Sequence, residues 1–212
     1  MEEKRPESVL KDRGPESSNG CPTDQDLVRL AQGGDQKALA ELYGRYRVKI
    51  GNYLYRFTGE RGRAEELAQE TFLRVVEHID RYRPTGSVGG WIYRIAWNLA
   101  LNAHRDSRRA KEISLDEPLE LEEGAVDRSE VVPGKGPQPD EEASRREREM
   151  AVQQGLLKIA GHHRAVLILC DVEGHSYREA AEILGCPINT VASRLARGRE
   201  ELARVLGYLK GE

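Results

Sequence analysis

A strongly acidic stretch that contains several prolines divides this chain of 212 residues into two parts. Residues 112–142 carry eleven acidic and two basic side chains, a net charge of −9 over 31 residues, together with Pro118, Pro133, Pro137 and Pro139. Like charges repel and proline interrupts regular structure, so this composition predicts a flexible linker that forms no domain of its own. Fully extended, such a segment could span roughly 100 Å.

The linker, taken as residues 111–142, separates two regions that can fold. Residues 23–110 and 143–212 are each predicted to form a helical domain, so the fold class is all-α. Residues 1–22 are rich in Glu, Lys, Arg, Pro, Ser and Gly and are predicted to be a disordered tail, because they cannot bury enough apolar surface. Structure is expected to begin at Thr23, a helix N-cap with Asp26 three residues further on.

Helical periodicity governs the first domain. Apolar residues recur at steps of three and four positions, which predicts helices over about 39–57, 62–80 and 88–109. The second helix is predicted to turn one apolar face inward, formed by Ala68, Phe72, Val75, Val76 and Ile79. No strand-like alternation competes with this pattern, so the region is predicted to be a helical bundle.

The second domain contains the most informative local pattern. After helices predicted over about 143–160 and 164–172, Ser176 and Glu179 form a capping box, Gly185 has the position of a left-handed C-terminal residue, and a new helix opens beside Pro187. Within that helix Val191 and Leu195 face inward, and the polar residues expected to face outward are Asn189, Ser193, Arg194 and Arg197. This is a helix-turn-helix whose second helix suits base edges and phosphates. An ordinary helical hairpin with a solvated charged face is the alternative.

Aromatic and basic residues alternate in the third predicted helix and the loop before it. The aromatic members are Tyr82, Trp91, Tyr93 and Trp97, and the polar members are Arg94, Asn98, Asn102, Arg105, Arg108 and Arg109. Aromatic and guanidinium planes stack on unpaired bases, which predicts contact with single-stranded nucleic acid. The alternative is that the tryptophans are core anchors.

Several function classes are excluded by composition. A net charge of −3 excludes a uniformly basic nucleic-acid coat, and the longest apolar run, residues 165–170, is far short of the roughly 20 residues of a membrane helix. The N-terminus has no apolar signal segment, and three cysteines without a CxxC pair favour reduced thiols in a cytoplasmic protein. A metal or acid–base site is conceivable for His162, His163, Cys170, Asp171, Glu173 and His175, but their spacing matches no metal motif. We therefore expect no enzyme activity, no metal and no cofactor.

Four segments together resemble the extracytoplasmic-function (ECF) group of bacterial sigma factors, small two-domain members of the primary-sigma family. They are residues 26–35 (DLVRLAQGGD), 65–74 (EELAQETFLR), 90–98 (GWIYRIAWN) and 176–199 (SYREAAEILGCPINTVASRLARGR). The resemblance covers about residues 24–206, in the order and at roughly the spacing of the family.

This resemblance implies a dissociable subunit of RNA polymerase that directs promoter recognition, DNA melting and transcription initiation. The first domain would bind the clamp helices of the β′ subunit and read the −10 element, and the second would sit on the β flap and read the −35 element. The acidic linker would pass through the polymerase cleft. Family members are often held inactive by an anti-sigma factor, and a stress or envelope regulon is expected.

Individual residues follow from the match. The resemblance assigns polymerase binding to Leu67, Gln69, Glu70 and Leu73. The −10 contacts fall on Tyr82, Trp91, Arg94, Asn98, Asn102 and Arg105, with the loop 83–90. For the −35 contacts the match gives Ser193, Arg194 and Arg197, and Asn189 and Arg199 are added as polar residues of the same helix. The chain departs from the family at three places. A basic residue is usual where this chain has Ala192, residues 63–66 read RAEE where an Asp-Ala-Glu-Asp-like run is common, and the loop 83–90 is unusually rich in glycine. A stand-alone helix-turn-helix repressor or activator remains the competing interpretation, and a repressor of this kind would bind duplex DNA without polymerase.

Overall fold

A computed structural model gives the structure of residues 21–84, 86–113 and 139–209, without the side chains of 107–113, 139–145 and 208–209. Its helices are α1 (Asp24–Gln32), α2 (Gln36–Thr58), α3 (Arg61–His78), α4 (Val88–Ile113), α5 (Pro139–Lys158), α6 (Gly161–Leu167), α7 (Tyr177–Leu184) and α8 (Ile188–Leu209). A short 3-10 turn, Ile79–Arg81, follows α3, and a π-helical turn, Ile168–Val172, follows α6. The described residues contain no strand, which confirms the all-α prediction.

The two ends of the predicted linker are helical. Helix α4 continues to Ile113 and α5 already begins at Pro139, so the helices extend further into the acidic stretch than the sequence indicated. The rest of that prediction falls on residues 114–138, which lie outside the described residues, as do residues 1–20 of the tail predicted over 1–22.

Side-chain caps fix where the first helices begin. The Thr23 hydroxyl accepts a hydrogen bond from the Asp26 amide at 3.2 Å, and the Asp26 carboxylate accepts one from the Thr23 amide at 3.1 Å. This is the predicted capping box. The Thr23 hydroxyl also donates a hydrogen bond to the Asp26 carboxylate at 2.6 Å, and this bond, together with that from the Thr23 amide, holds the pKa of Asp26 below its usual value. Asp35 caps α2 in the same way by accepting hydrogen bonds from the amides of Lys37 and Ala38.

The predicted apolar periodicity describes most of the core of the N-terminal half, α1–α4. Ile50, Tyr53 and Leu54 of α2 are completely buried, as are Ile92 and Ala96 of α4 in the same core. Val76, however, is 49% exposed and does not lie on the inward face of α3. The prediction for Val76 was wrong because Val75 already occupies that inward position, and the next residue of a helix points about 100° away.

The C-terminal half, α5–α8, packs directly on the N-terminal half. Gln153 of α5 donates hydrogen bonds to the carbonyls of Tyr55 and Arg56 in the last turn of α2. Gly59, in the left-handed conformation (φ 81°), ends α2, and a β-carbon there would approach Leu157 to 2.6 Å. Glycine at this position therefore allows both the turn and the close contact with α5.

Arg164 of α6 is the most buried cation of the described structure, at 7% exposure. Its guanidinium donates hydrogen bonds to the carbonyls of Phe57 (2.5 Å), Leu157 (2.7 Å) and Ile159 (3.2 Å), at the ends of α2 and α5. Helix C-termini carry partial negative charge, which suits a cation. Burial lowers the pKa of Arg164, but a guanidinium stays protonated.

We predict that Arg164→Leu destabilises the protein because three buried carbonyls then lose a charged donor. The expected loss is about 3 kcal/mol, or roughly 6–12 °C in melting temperature. Thermal unfolding followed by circular dichroism measures it. The matched control, Arg47→Ala at an exposed site of α2, is expected to stay within about 0.5 kcal/mol of the parent. Equal melting temperatures for both variants would contradict this role of Arg164.

Candidate nucleic-acid interfaces

Helices α7 and α8 form the predicted helix-turn-helix. The Ser176 hydroxyl accepts a hydrogen bond from the Glu179 amide at 3.3 Å, and the Glu179 carboxylate accepts one from the Ser176 amide at 2.8 Å. Gly185 ends α7 with φ 64°, and Val191 of α8 is completely buried. The predicted caps, turn and inward face are therefore confirmed. Hydrogen bonds from Ser176 also lower the pKa of Glu179.

The outward face of α8 is polar and open to solvent. Asn189, Ser193 and Arg197 are exposed, and Arg194 is half-buried. The Ser193 hydroxyl donates a hydrogen bond to the Thr190 carbonyl at 3.1 Å, so in this conformation it keeps only its acceptor lone pairs for another partner. Neither Arg194 nor Arg197 forms an ion pair with a described residue. Both guanidinium groups can therefore reach a phosphate or a base edge.

Arg199 differs from the other arginines of α8. Its guanidinium forms a bidentate ion pair with Asp171 at 2.6 and 2.9 Å, which raises the pKa of Arg199 further above its usual value. The sequence grouped Arg199 with Arg194 and Arg197, and only the fold brings Asp171 beside it. The planar fork of Arg199 is thus occupied, and a phosphate would have to compete with a carboxylate for it.

His162 and His163 lie beside this surface. Their rings are in contact, with centroids 4.2 Å apart, and Nδ1 of His163 is 3.0 Å from the Glu201 carboxylate. Burial is the main cause of the lowered pKa of His162, and His163 and Arg194 lower it further. The sequence spacing of the two histidines matched no metal motif. The described residues contain no group of three or more His, Cys, Asp or Glu side chains placed to hold a metal ion.

The aromatic residues of α4 and of the loop before it have two different roles. Tyr82 and Trp91 are half-buried neighbours, with ring centroids 4.8 Å apart. Trp97 is only 7% exposed and packs edge-to-face on Phe57, and Tyr93 is 2% exposed. Trp97 is therefore a core anchor, as the alternative interpretation held, while Tyr82 and Trp91 remain accessible to a base.

Local hydrogen bonds organise the loop between Tyr82 and α4. The Tyr82 hydroxyl donates to the Gly86 carbonyl at 3.2 Å, and the Ser87 hydroxyl accepts from the Gly90 amide at 3.0 Å, which caps the first turn of α4. A β-carbon on Gly89 would approach the Tyr46 hydroxyl to 2.8 Å, so glycine permits the start of α4 to pack on α2. The Tyr82 and Trp91 rings are thus held at one end of α4.

The polar residues of α4 share one face of the helix. Arg94, Asn98, Asn102 and Arg105 are all exposed. Successive residues of a helix are rotated by about 100°, which puts these four within an arc of about 80°. Together with Tyr82 and Trp91 they form a continuous strip of aromatic, amide and guanidinium groups. Arg108 and Arg109 lie outside the described side chains.

Helix α3 carries the residues predicted to bind a protein partner, and the structure divides them. Leu67 is 6% exposed and belongs to the core, whereas Leu73 is 59% exposed. Gln69 is exposed, and Glu70 is half-buried in an ion pair with Arg74 at 2.8 Å. Leu67 can thus support the surface from beneath but cannot itself form part of it.

Sequence reasoning missed part of this surface. Val76 of α3, 49% exposed, and Tyr43 of α2, 50% exposed, extend it beside Leu73, and the Tyr43 ring packs edge-to-face on Phe72 at 4.8 Å. We call Tyr43, Phe72, Leu73 and Val76 the α3 patch. Exposed apolar side chains that cluster in this way are candidates for burial against a partner. The sequence showed only that Val75 and Val76 cannot both face inward, and the packing of α3 into the core buries Val75.

None of the helices within the described ranges combines the length and the apolar composition needed to cross a membrane.

Comparison with known proteins gives matches over both halves. Residues 42–110 match the family described as Sigma-70 region 2, and residues 150–202 match Sigma-70, region 4. The ECF RNA polymerase sigma factor SigW of Bacillus subtilis is 33% identical over 84% of this chain and 94% of its own length. The RNA polymerase sigma-H factor of Pseudomonas aeruginosa is 32% identical over 89% of this chain and 96% of its own.

Two solved structures share the fold. CnrH, in complex with the cytosolic domain of CnrY, aligns with a TM-score of 0.63 and 23% identity over 87% of this chain and 97% of that one. The sigma factor RpoE of Bartonella quintana, in complex with the anti-sigma factor NepR, aligns with a TM-score of 0.63 and 21% identity over 81% of this chain and 98% of that one.

Proposed function

This chain belongs to the ECF group of bacterial RNA polymerase sigma factors, and from that premise we propose which of its surfaces bind polymerase and which read the promoter. We propose that the α3 patch, with Gln69 and Glu70, docks on the clamp helices of the polymerase β′ subunit. The exposure of Leu73, at 59%, supports this assignment. Burying a leucine of this kind against a partner helix is favourable, and the flanking polar residues supply orientation.

We propose that α4 and the loop before it read the −10 element as single-stranded DNA. The observation that carries this proposal is the strip formed by Tyr82, Trp91, Arg94, Asn98, Asn102 and Arg105 on one accessible side of α4. Aromatic rings stack on unstacked bases, amides recognise base edges, and guanidinium groups neutralise phosphates. A duplex offers no exposed base faces for stacking, so binding here favours strand separation.

Helix α8 is the proposed reader of the −35 element. Its exposed residues Asn189, Ser193 and Arg197, with half-buried Arg194, fit the width of a major groove when presented on a helix. Ala192 offers no charge, so the arginines carry the readout. The β flap of polymerase is the proposed support for this half.

Regulation and location complete the proposal. RpoE of Bartonella quintana, which shares the fold, was solved with an anti-sigma factor, and we propose that this chain is likewise controlled by an anti-sigma factor. We also propose that it acts in the cytoplasm, without enzymatic activity of its own.

Run-off transcription tests this function directly. The purified chain is added to bacterial core polymerase, and transcripts are mapped on genomic fragments from the same organism. Initiation at defined sites that requires both components supports the proposal. Specific binding to duplex DNA by the chain alone, without stimulated initiation, would instead favour the stand-alone repressor.

We predict that Leu73→Glu weakens binding to core polymerase tenfold or more, because it places a charge in the centre of an apolar contact. The fold should be unaffected, since Leu73 is largely exposed. Titration of fluorescently labelled protein with core polymerase measures the affinity. Val48→Glu, at a residue of α2 that is 56% exposed, is the matched control and should bind like the parent. Equal affinities for the two variants would remove the α3 patch from the interface.

Asn98→Ala is predicted to slow open-complex formation roughly 5- to 10-fold, because an amide that holds an unpaired base is lost. On a template whose −10 region is already unpaired, the same variant should show altered base preference. Stopped-flow fluorescence of a labelled promoter gives the rate. An unchanged rate on the duplex and unchanged preference on the bubble would show that Asn98 does not contact a −10 base.

The arginines of α8 should separate into base reading and phosphate binding. Arg197→Ala is expected to flatten the −35 sequence profile by about 1–3 kcal/mol at one base pair, as loss of a bidentate guanine contact does. Arg199→Ala should change affinity little because Asp171 already occupies its guanidinium, whereas Asp171→Asn frees that group and should steepen the salt dependence by about one unit. Holoenzyme binding to a panel of −35 variants at two salt concentrations distinguishes them. A uniform loss across the panel for Arg197→Ala would assign it to the backbone.

A further inference from the structure

An exposed histidine of α6 stands beside the proposed −35 reader. His162 is the second residue of α6, and its side chain is open to solvent, whereas the next residue, His163, is only 6% exposed. Neighbouring residues of a helix point about 100° apart, so one histidine enters the protein and the other faces outward. The two rings stay in edge-to-face contact, with centroids 4.2 Å apart.

The inward histidine fixes the start of α6 against α8. Nδ1 of His163 lies 3.0 Å from the Glu201 carboxylate of α8, and this contact is the main cause of the lowered pKa of Glu201. A β-carbon on Gly198 of α8 would lie 3.2 Å from the β-carbon of His163. Glycine at this position therefore lets the two helices approach closely, and the outward ring of His162 is carried to the side of α8.

That side of α8 carries the unpaired positive charge of the reader. Arg194 and Arg197, three residues apart on one flank of the helix, lie close enough to His162 for both guanidinium charges to act on it. Neither arginine forms an ion pair with a described residue. The other flank differs, because Asp171 holds the guanidinium of Arg199 at 2.6 Å. The free cations of α8 thus face the start of α6.

The surroundings of His162 favour the neutral imidazole while no DNA is bound. Burial is the largest cause of its lowered pKa, His163 and the two arginines of α8 lower it further, and the Glu201 carboxylate acts in the opposite sense. These are the charged and titratable groups that face it from α6 and α8. A phosphate placed among them would offset the repulsion and accept a hydrogen bond from the protonated ring, so it would raise the pKa of His162.

We propose that His162 binds a backbone phosphate of the −35 duplex as an imidazolium, beside Arg194, and so adds α6 to the DNA-reading surface of the sigma factor. This inference rests on the proposed −35 role of α8. Groups that flank a recognition helix meet the phosphates at the edges of the groove, while its outward face meets the bases. Binding of the −35 element then takes up a proton, and the affinity rises as the pH falls towards about 6.

The pH dependence of promoter binding tests this contact. Holoenzyme assembled from core polymerase and the full chain is titrated with a labelled duplex that contains the −35 element and ends before the −10 element. Between pH 7.5 and pH 6.0 we expect the parent to bind roughly three- to tenfold more tightly, and His162→Ala to change by less than about twofold. His162→Arg should bind tightly at both pH values, because a guanidinium stays charged.

The salt dependence separates a phosphate contact from a purely structural role. At pH 6.0, His162→Ala should reduce the slope of log affinity against log salt by about one unit, and it should do so equally for all −35 sequence variants. His78→Ala, at an exposed histidine of the N-terminal half, is the matched control and should keep the parental slope and pH dependence. A DNA fragment that carries only the −10 element should bind His162→Ala like the parent.

The outcomes distinguish this contact from the function on which it rests. A loss of affinity in His162→Ala that is the same at both pH values, without rescue by His162→Arg, would overturn the contact. A parental salt slope and pH dependence in His162→Ala would overturn it as well, while the −35 role of α8 would stand if Arg197→Ala still flattens the −35 profile. A parent holoenzyme that does not distinguish −35 sequences at either pH would overturn that role together with the contact.

Discussion

The arrangement of the whole molecule depends on a buried guanidinium that donates its hydrogen bonds to backbone carbonyls and not to a carboxylate. Arg164 binds carbonyl oxygens at the ends of α2 and α5, and its guanidinium carbon lies over the Phe57 ring, 5.6 Å from the centroid. A buried charge without partners would be very costly, so this contact admits only a narrow range of positions for α6 relative to α2. For that reason the two halves pack in one defined orientation. As a consequence, α7 lies beside α4.

The same packing explains why the N-terminal half can present a base-binding surface at all. One side of α4 is completely buried through Ile92 and Ala96, and this fixes its rotation about its own axis. The opposite strip, with Arg94 and Asn98, must then face outward. Ser87 and Tyr82 hold the loop by hydrogen bonds, so Trp91 is positioned before any nucleic acid arrives. Preorganisation of this kind lowers the entropic cost of binding a flexible single strand.

The surfaces that we propose for function differ in character. The α3 patch is apolar and remains exposed, the face of α8 is polar and remains exposed, and Arg94 of α4 lines a cleft together with residues of α7. Polar contacts such as that of Tyr93 with Glu173 are specific in geometry but modest in free energy, because both groups can hydrogen-bond water once separated. An interface made in this way can be both well defined and reversible.

The sequence by itself determined the helices, their caps and the helix-turn-helix. Thr23 with Asp26, and Ser176 with Glu179, form capping boxes because the hydrogen bonds connect residues three apart and need no tertiary contact. The left-handed Gly185 follows from local sterics in the same way. The resemblance to sigma factors also rests on contiguous segments, so the order of the residues is sufficient to reveal it.

Only the tertiary structure decided which of the candidate residues are accessible. Leu67 proved to be core and Val76 surface, because a partner helix and not the local pattern chooses the buried side of α3. Trp97 is buried and Trp91 is only half-buried, although both belong to α4. The pairing of Arg199 with Asp171, and of Tyr93 with Glu173, joins residues 28 and 80 positions apart. No periodicity encodes such distances, since they arise from how helices pack and not from how each one forms.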